Sequence, residues 1–168
     1  LKAGDHVVYF AQMYNPTRML VGRMLKRFGV TSTMLSIDDM EGLERELATT
    51  PTRLVVFESP TNPVLKVADI ERLTASARRH GALTLLDNTL AGFQNHGQYD
   101  VDIYAHSLTK FASGHGDVMG GVVPVKYSEE IAEETKKAKR IFESFMQQHD
   151  VPRATETTES MSFGWLDD

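Results

Sequence analysis

Short apolar runs that alternate with helical patterns are the feature of this sequence that most constrains its fold. The runs lie at residues 6–10, 31–37, 53–57, 83–86, 100–104 and 120–125. Most of the segments between them repeat apolar residues every three to four positions, which predicts helices of 10–15 residues. Strands that alternate with helices of this length are typical of βαβ units. The predicted fold class is therefore α/β, with a mostly parallel sheet flanked by helices.

Local signals mark where two of the predicted helices begin and end. Asn15 suits a helix cap and Pro16 the first turn, and Gly29 follows the last residue of the same pattern. Asp69 is expected to cap the helix that begins at residue 70, and Gly81 is expected to end it. These boundaries set the connections between the predicted strands.

The bulk composition excludes several classes of function. The 168 residues carry a net charge of −5 and no cysteine. Nucleic acids and anionic membranes require a basic surface, so neither is expected as a partner. No disulfide or thiolate site can form, and no His/Asp/Glu cluster has the spacing of metal ligands. His106 and His115 are interpreted as structural, and the absence of a signal-peptide pattern favours a cytoplasmic location.

Polar side chains follow the ends of four predicted strands. They are Tyr14, then Glu58 and Asn62, then Asp87, then Ser107, Thr109 and Lys110. Parallel α/β sheets bind ligands in the crevice beyond the carboxyl ends of their strands. We therefore expect these groups to line one site.

The chemistry of these residues favours a carbonyl cofactor with a phosphate. Taken singly, Lys110 is typical of a solvated loop lysine, Asp87 of a cap or strand terminus, and Tyr14 of a half-buried aromatic residue. Together, a lysine that can form a Schiff base and a carboxylate that can hold a pyridinium nitrogen indicate pyridoxal phosphate. Ser107 and Thr109 are two residues apart, so an extended segment places both hydroxyls on one side, where they can hold the phosphate.

Three motifs together carry a resemblance to a known family. Residues 58–63 (ESPTNP), 87–89 (DNT) and 106–110 (HSLTK), followed by the glycine-rich 114–121, resemble the Cys/Met-metabolism group of pyridoxal-phosphate enzymes. That group contains cystathionine γ-synthases, cystathionine lyases, methionine γ-lyases and O-acylhomoserine sulfhydrylases. The resemblance covers residues 4–140. It implies the large domain of a fold-type-I enzyme, a three-layer αβα architecture.

The resemblance also implies a domain organisation. Residues 1–148 are expected to be a partial cofactor-binding large domain, which includes a charged helix over residues 128–147. Residues 149–168 are expected to be an atypical tail, and their composition is typical of disorder.

The matched motifs imply a role for each aligned residue. Lys110 aligns with the lysine that forms the Schiff base and shuttles protons, and Asp87 with the partner of the pyridinium nitrogen. Tyr14 aligns with the tyrosine that stacks on the ring and acts as an acid–base group, and Asn62 with the asparagine near the ring hydroxyl. The phosphate contacts fall on Ser107 and Thr109, while Glu58 receives no defined role.

The implied activity is that of a carbon–sulfur lyase or transferase of transsulfuration. Such an enzyme catalyses elimination or replacement at Cγ or Cβ of cystathionine, an O-acylhomoserine or a related amino acid. The resemblance implies that the intact protein is a homotetramer, a dimer of dimers. It also implies phosphate contacts upstream of residue 1 and a C-terminal domain, so the chain by itself is expected to have weak or no turnover.

Two other hypotheses remain open from the sequence. Asn15 and Pro16 stand where the family has two glycines, which can shift Tyr14. An inactive large-domain remnant that acts as an assembly or interaction module is one alternative. An α/β protein that binds phosphate without pyridoxal phosphate is the other.

Overall fold

A computed structural model describes residues 1–125, and six strands in this range form one sheet. The strands are β1 (His6–Phe10), β2 (Thr31–Leu35), β3 (Leu54–Glu58), β4 (Leu83–Asp87), β5 (Ile103–Ser107) and β6 (Gly121–Val122). Their order across the sheet is β2-β1-β3-β4-β5-β6. Strands β1 to β5 are parallel and β6 is antiparallel to β5, which confirms the predicted α/β class.

Helices or helical turns connect most of these strands, and residues 88–102 between β4 and β5 form a loop. The helical segments are α1 (Asn15–Met19), which continues as a π-helical turn (Leu20–Met24) and a 3₁₀ turn (Leu25–Phe28), then α2 (Met40–Thr49), α3 (Ile70–Arg79) and a further π-helical turn (Leu108–Ala112). The helical segment after β1 ends at Gly29, whose φ of 78° lies in the left-handed region that glycine adopts without strain.

One predicted helix cap is confirmed and one is wrong. The side chain of Asp69 caps α3 by accepting a hydrogen bond from the backbone N–H of Arg72. The cap position of α1 is occupied by Tyr14 rather than Asn15, and no side chain caps this helix. The physical reason is that the Tyr14 carbonyl accepts the first helical hydrogen bond, from the Arg18 N–H, while the Asn15 side chain accepts from the Arg18 guanidinium.

The core lies around the two central strands. The whole of β1 and residues 55–58 of β3 are buried, as expected for parallel strands that have helices on both faces. The largest fully buried apolar side chains in the described residues are Phe10, Phe57, Met13, Leu43, Leu73 and Leu86. Helix α3 contributes the inward-facing residues that its periodicity predicts, Ile70, Leu73, Thr74 and Ala77.

The connections diverge between β1 and β3. The chain leaves β1 towards β2 on one side, and β3 lies on the other side of β1. Right-handed crossovers then place α1 on one face of the sheet and α2 with α3 on the opposite face. The packing agrees, because Gly22 lies against Tyr9 while Glu44 of α2 accepts hydrogen bonds from Ser76 and Arg79 of α3. The gap between the diverging loops is where such sheets bind ligands.

The last described strand is shorter than predicted. A strand was expected over residues 120–125, but only residues 121–122 pair with β5, and one isolated bridge joins Ile103 to Val125. The expected helix over residues 128–147 and the expected tail over residues 149–168 lie outside the described residues. None of the helices within residues 1–125 combines the length and apolar character that a membrane crossing needs.

Candidate functional site

The carboxyl ends of β3, β4 and β5 lie in register at one edge of the sheet. Glu58 pairs with Asp87, and Asp87 pairs with Ala105. Neighbouring strands are about 4.8 Å apart, so the polar groups that follow these positions belong to one row. Ser107 is two residues beyond Ala105, at the end of β5.

The loop after β1 joins this row through Glu58. The backbone N–H of Tyr14 donates a hydrogen bond to Oε2 of Glu58 at 2.7 Å. The N–H of Asn62 donates to the same carboxyl group. Tyr14 is 46% exposed, so it is accessible to a ligand. One buried carboxyl group therefore holds two segments that sequence analysis assigned to the site.

The carboxylate of Asp87 is oriented by Thr89. Its Oδ1 accepts from the Thr89 N–H at 3.0 Å and from the Thr89 hydroxyl at 2.6 Å. The same hydroxyl oxygen accepts from the N–H of Ser107 at 3.0 Å. Thr89 therefore links the end of β4 to the end of β5. Within residues 1–125, no group donates a hydrogen bond to Oδ2 of Asp87.

Lys110 lies in the helical turn that follows β5. Its side chain is exposed and pairs with no carboxylate among the residues that the structure describes. Its carbonyl oxygen accepts from the N–H of Gly114, which fixes the backbone of the turn. The neighbouring Thr109 hydroxyl accepts from the Gly120 N–H at 3.0 Å and lies 3.3 Å from the Gly120 carbonyl, so it anchors the glycine-rich segment.

Asn88 organises the loop that follows Asp87. Its side-chain amide donates to the carbonyls of Gly92 and Asn95, and its Oδ1 lies 2.8 Å from Nδ1 of His96. His106 is buried, bonds the Asn88 carbonyl through Nδ1 and packs on the ring of Phe93 at 4.1 Å. These contacts support β4 and β5 from behind the row of site residues.

Burial makes Glu58 a weaker acid than an ordinary glutamate. The side chain is 3% exposed, and no cation pairs with it in the described part of the chain. The pKa of Glu58 is raised to about 7, because burial and, to a smaller extent, the nearby Asp87 carboxylate outweigh the N–H groups of Tyr14 and Asn62, which lower it. No group of metal-ligating side chains accompanies it within residues 1–125.

The structure also identifies residues that the sequence analysis left without a role. The motifs drew attention to Glu58 and Thr89, but nothing in their spacing assigned them hydrogen bonds. An aspartate at the end of a strand is a signal for an Asx turn, in which the aspartate side chain accepts from the backbone N–H two residues on. That signal predicts the contact of Asp87 with Thr89.

Comparisons with known proteins agree with the motifs. The family model of Cys/Met metabolism PLP-dependent enzymes matches residues 1–157. Cystathionine beta-lyase MetC of Bacillus subtilis is 36% identical over 144 residues, which cover 84% of this chain and 36% of the relative. L-methionine gamma-lyase of Fusobacterium nucleatum is 38% identical over 139 residues, 81% of this chain and 34% of that enzyme. The chain thus spans about a third of the length of the curated relatives it matches.

Solved structures with the same fold come from the same group of enzymes. A putative O-acetylhomoserine (thiol)-lyase from Campylobacter jejuni, which contains N'-pyridoxyl-lysine-5'-monophosphate, matches with a TM-score of 0.69 and 33% identity over 76% of this chain and 32% of that chain. Cystathionine gamma-lyase from Lactobacillus plantarum, complexed with L-serine, matches with a TM-score of 0.68 and 35% identity over 79% of this chain and 35% of that chain. From its sequence and its sheet alike, the chain belongs to the Cys/Met metabolism family of enzymes that depend on pyridoxal phosphate.

Proposed function

We propose that this chain binds pyridoxal phosphate through Lys110 and forms part of a carbon–sulfur lyase or transferase. The reaction class is elimination or replacement at Cγ or Cβ of a sulfur-containing amino acid such as cystathionine, or of an O-acylhomoserine. The observation that carries the proposal is the adjacent placement of β4 and β5, which end in Asp87 and lead into Lys110.

The donor and acceptor groups of the site fit the cofactor. Asp87 retains one carboxylate oxygen that no described group occupies, and this oxygen can accept from a pyridinium N–H. The Ser107 hydroxyl has no hydrogen-bond partner within residues 1–125 and can donate to a phosphate. Thr109 is less suited to hold the phosphate than Ser107, because its hydroxyl already contacts Gly120.

The residues of this chain divide the chemistry between them. Bound pyridoxal phosphate supplies an aldehyde for the lysine amine and an electron sink for the bond that breaks. The Nζ of Lys110, once free of the cofactor, would take the proton from the substrate Cα. Asp87 would hold the ring nitrogen, Tyr14 would stack on the ring, and Asn62 would contact the ring hydroxyl. General acid–base steps of this kind accelerate a reaction by about 10²–10⁴-fold.

The proposal names a class of bond rather than one substrate. The matched relatives include a cystathionine beta-lyase, a canavanine gamma-lyase and an L-methionine gamma-lyase, which cleave different bonds. We further propose that the intact protein is cytoplasmic and self-associates as a dimer of dimers. Exposed apolar side chains on the helical segment after β1, such as Met24 and Phe28, support self-association.

Borohydride trapping tests the cofactor assignment directly. The chain is incubated with pyridoxal phosphate, reduced and digested, and the peptide that carries the pyridoxyl mass is identified. We expect the label on Lys110, and we expect Lys110→Ala to abolish it. Lys26→Ala is the matched control, because Lys26 is an exposed lysine on the helical segment after β1.

The two alternative hypotheses give different results in the same experiment. An assembly module that has lost cofactor binding takes no specific label, yet it self-associates in sedimentation velocity. A phosphate-binding protein without pyridoxal phosphate takes no label but binds inorganic phosphate. Label on Lys110 excludes both.

A further inference from the structure

Glu58 is a buried carboxyl group at a position where the sheet provides no counter-ion. It ends β3 and is 3% exposed. A buried carboxylate is costly unless a cation or several hydrogen-bond donors meet it. Within residues 1–125 the donors that meet it are backbone N–H groups. A carboxyl group held in this way is expected to fix the positions of the segments that carry these N–H groups.

Those donors come from two separate segments. The N–H of Tyr14 belongs to the loop between β1 and α1, and the N–H of Asn62 belongs to the loop between β3 and α3. The two loops diverge to opposite faces of the sheet at the switch point between β1 and β3. The Glu58 carboxyl group accepts a hydrogen bond from each loop and so bridges this gap. No other hydrogen bond of these two loops within residues 1–125 joins one to the other.

The group also faces Asp87 on the adjacent strand. Glu58 and Asp87 are register partners, and the Asp87 carboxylate raises the pKa of Glu58, after burial as the first cause. Of the charged groups that the structure describes, Asp87 is the one that acts on Glu58 from β4. The β1 side contributes only the Tyr14 N–H, and the loop after β3 contributes only the Asn62 N–H.

We propose that Glu58 is a positioning residue that couples Tyr14 and Asn62 to Asp87 across the switch point of the sheet. It touches neither cofactor nor substrate in this role. When ionised, it holds the two N–H groups with charge-assisted hydrogen bonds, which are about twice as strong as neutral ones. The negative charge of ionised Glu58 also strengthens the binding of a cation beside Asp87. This inference rests on the proposed function, because Tyr14, Asn62 and Asp87 matter as contacts of the cofactor.

The role has a distinct dependence on pH. Glu58 is protonated below its pKa of about 7 and ionised above it. Ionisation strengthens the hydrogen bonds to the two loops and favours a cation beside Asp87. Both the hold on the loops and the affinity for such a cation are therefore greater on the alkaline side. Glu58→Gln preserves the shape and one acceptor oxygen but has no proton to lose. The variant is therefore expected to match the unaltered chain on the acid side and to differ from it on the alkaline side.

The experiment compares the unaltered chain with Glu58→Gln and with the control Glu41→Gln, one pH unit below and one above that pKa. Glu41 is exposed on α2, and its replacement by glutamine is the same chemical substitution. The first readout is the hydrogen-exchange protection of the Tyr14 and Asn62 amides without cofactor. The second is the dissociation constant of pyridoxal phosphate. Above the pKa, Glu58→Gln is expected to lose protection at both amides and to bind about tenfold more weakly.

Below the pKa the two chains are expected to agree within about twofold in the dissociation constant, and the Glu41→Gln control is expected to follow the unaltered chain at both pH values. Equal amide protection and equal affinity of Glu58→Gln on both sides of the pKa would overturn the inference. So would an affinity change of the same size at both pH values, or one without any change at the two amides.

The result also separates this inference from the proposed function. Label on Lys110 with no response to Glu58→Gln leaves the proposed function intact and removes only the role of Glu58. Failure of the unaltered chain to take the label on Lys110 overturns the proposed function and this inference with it.

Discussion

At the scale of single residues, the site depends on side chains that orient other side chains. Thr89 shows this most clearly, because its hydroxyl donates to Asp87 and accepts from the backbone of Ser107. A carboxylate that accepts two hydrogen bonds at Oδ1 has little rotational freedom left. The direction of Oδ2, the oxygen proposed to meet the ring nitrogen, is therefore set by Thr89.

Thr89→Val tests this dependence. Valine has nearly the same shape and keeps the backbone N–H, but it loses the hydroxyl that donates to Asp87 and accepts from Ser107. We expect the dissociation constant of pyridoxal phosphate to rise about tenfold, in line with the loss of a hydrogen bond to a charged group. Absorbance titration with the cofactor measures it. Thr89→Ser restores the hydroxyl and should recover most of the affinity; equal losses in both variants would contradict the role of the hydroxyl.

The sequence could predict which residues lie at the carboxyl ends of the strands, but not how they are connected. The strand-end rule predicted Tyr14, Asp87 and Ser107 because the carboxyl ends of parallel strands share one edge. It could not predict that Glu58, at the end of β3, contacts the loop that follows β1, because that contact depends on the paths of two loops that diverge in three dimensions. The contact of Asp87 with the Thr89 N–H could have been predicted, because aspartate favours an Asx turn.

At the scale of secondary-structure elements, capping explains both a success and a failure of prediction. Asp69 caps α3 through a local hydrogen bond, which its side chain accepts from the Arg72 N–H three residues on. Asn15 is not the cap of α1, because the Tyr14 carbonyl accepts the first helical hydrogen bond, from the Arg18 N–H, and the Asn15 side chain accepts from the Arg18 guanidinium. A local capping signal therefore places the start of a helix only to within a residue or so.

Removal of the Asp69 cap is expected to destabilise the chain. Asp69→Ala leaves the Arg72 N–H without its side-chain acceptor and should lower the free energy of unfolding by about 1 kcal/mol. Asp69→Asn retains an acceptor and should cost only a few tenths of that amount, about 0.3 kcal/mol. Urea denaturation followed by circular dichroism measures both. An asparagine variant as unstable as the alanine variant would indicate that charge, not capping, is what matters.

Helix α2 contains a glycine that ordinary helix propensity would replace with alanine. The Gly42 N–H donates to Oδ1 of Asp39, and a Cβ at Gly42 would collide with the Asp39 carboxylate. Gly42→Ala is therefore expected to gain about 1 kcal/mol from propensity and to lose a similar amount from the cap, with little net change. In an Asp39→Ala background the same substitution should stabilise by about 1 kcal/mol. Urea denaturation of all four chains gives the coupling; additive effects would show that the cap survives the new Cβ.

At the scale of the whole molecule, the sheet separates two buried polar clusters. Glu58 ends β3 at the carboxyl edge, next to Asp87. His6 begins β1 at the opposite edge, where it lies within hydrogen-bond distance of Thr52 and Thr33. Burial lowers the pKa of His6, although Glu46 partly offsets this effect, and burial raises the pKa of Glu58. Both shifts disfavour a buried charge, so they make stability depend on pH in opposite directions.

The signs follow from proton binding. Between pH 4.5, the ordinary pKa of a glutamate, and its folded pKa of about 7, the folded chain holds a proton on Glu58 that the unfolded chain releases. This contribution to stability is full below pH 4.5 and is lost as the pH rises through about 7. His6 acts the other way, since the unfolded chain binds its proton more readily below pH 6.5. The contribution of His6 is common to any variant at Glu58 and cancels in a difference.

The free energy of unfolding of Glu58→Gln relative to the unaltered chain is therefore expected to rise with pH. A glutamine at this position cannot ionise, so the variant avoids the cost of placing a charge in the buried site. The relative gain should build up between pH 4.5 and about 7, to at most about 3 kcal/mol, and then level off. Urea denaturation at several pH values measures this difference, and Glu41→Gln serves as the exposed control with no such slope. A flat difference would mean that Glu58 has an ordinary pKa, and a falling one would mean that the folded chain favours its charge. The rise should end near the pH at which the Tyr14 and Asn62 amides gain protection in the unaltered chain, because both mark the ionisation of Glu58 in the folded chain.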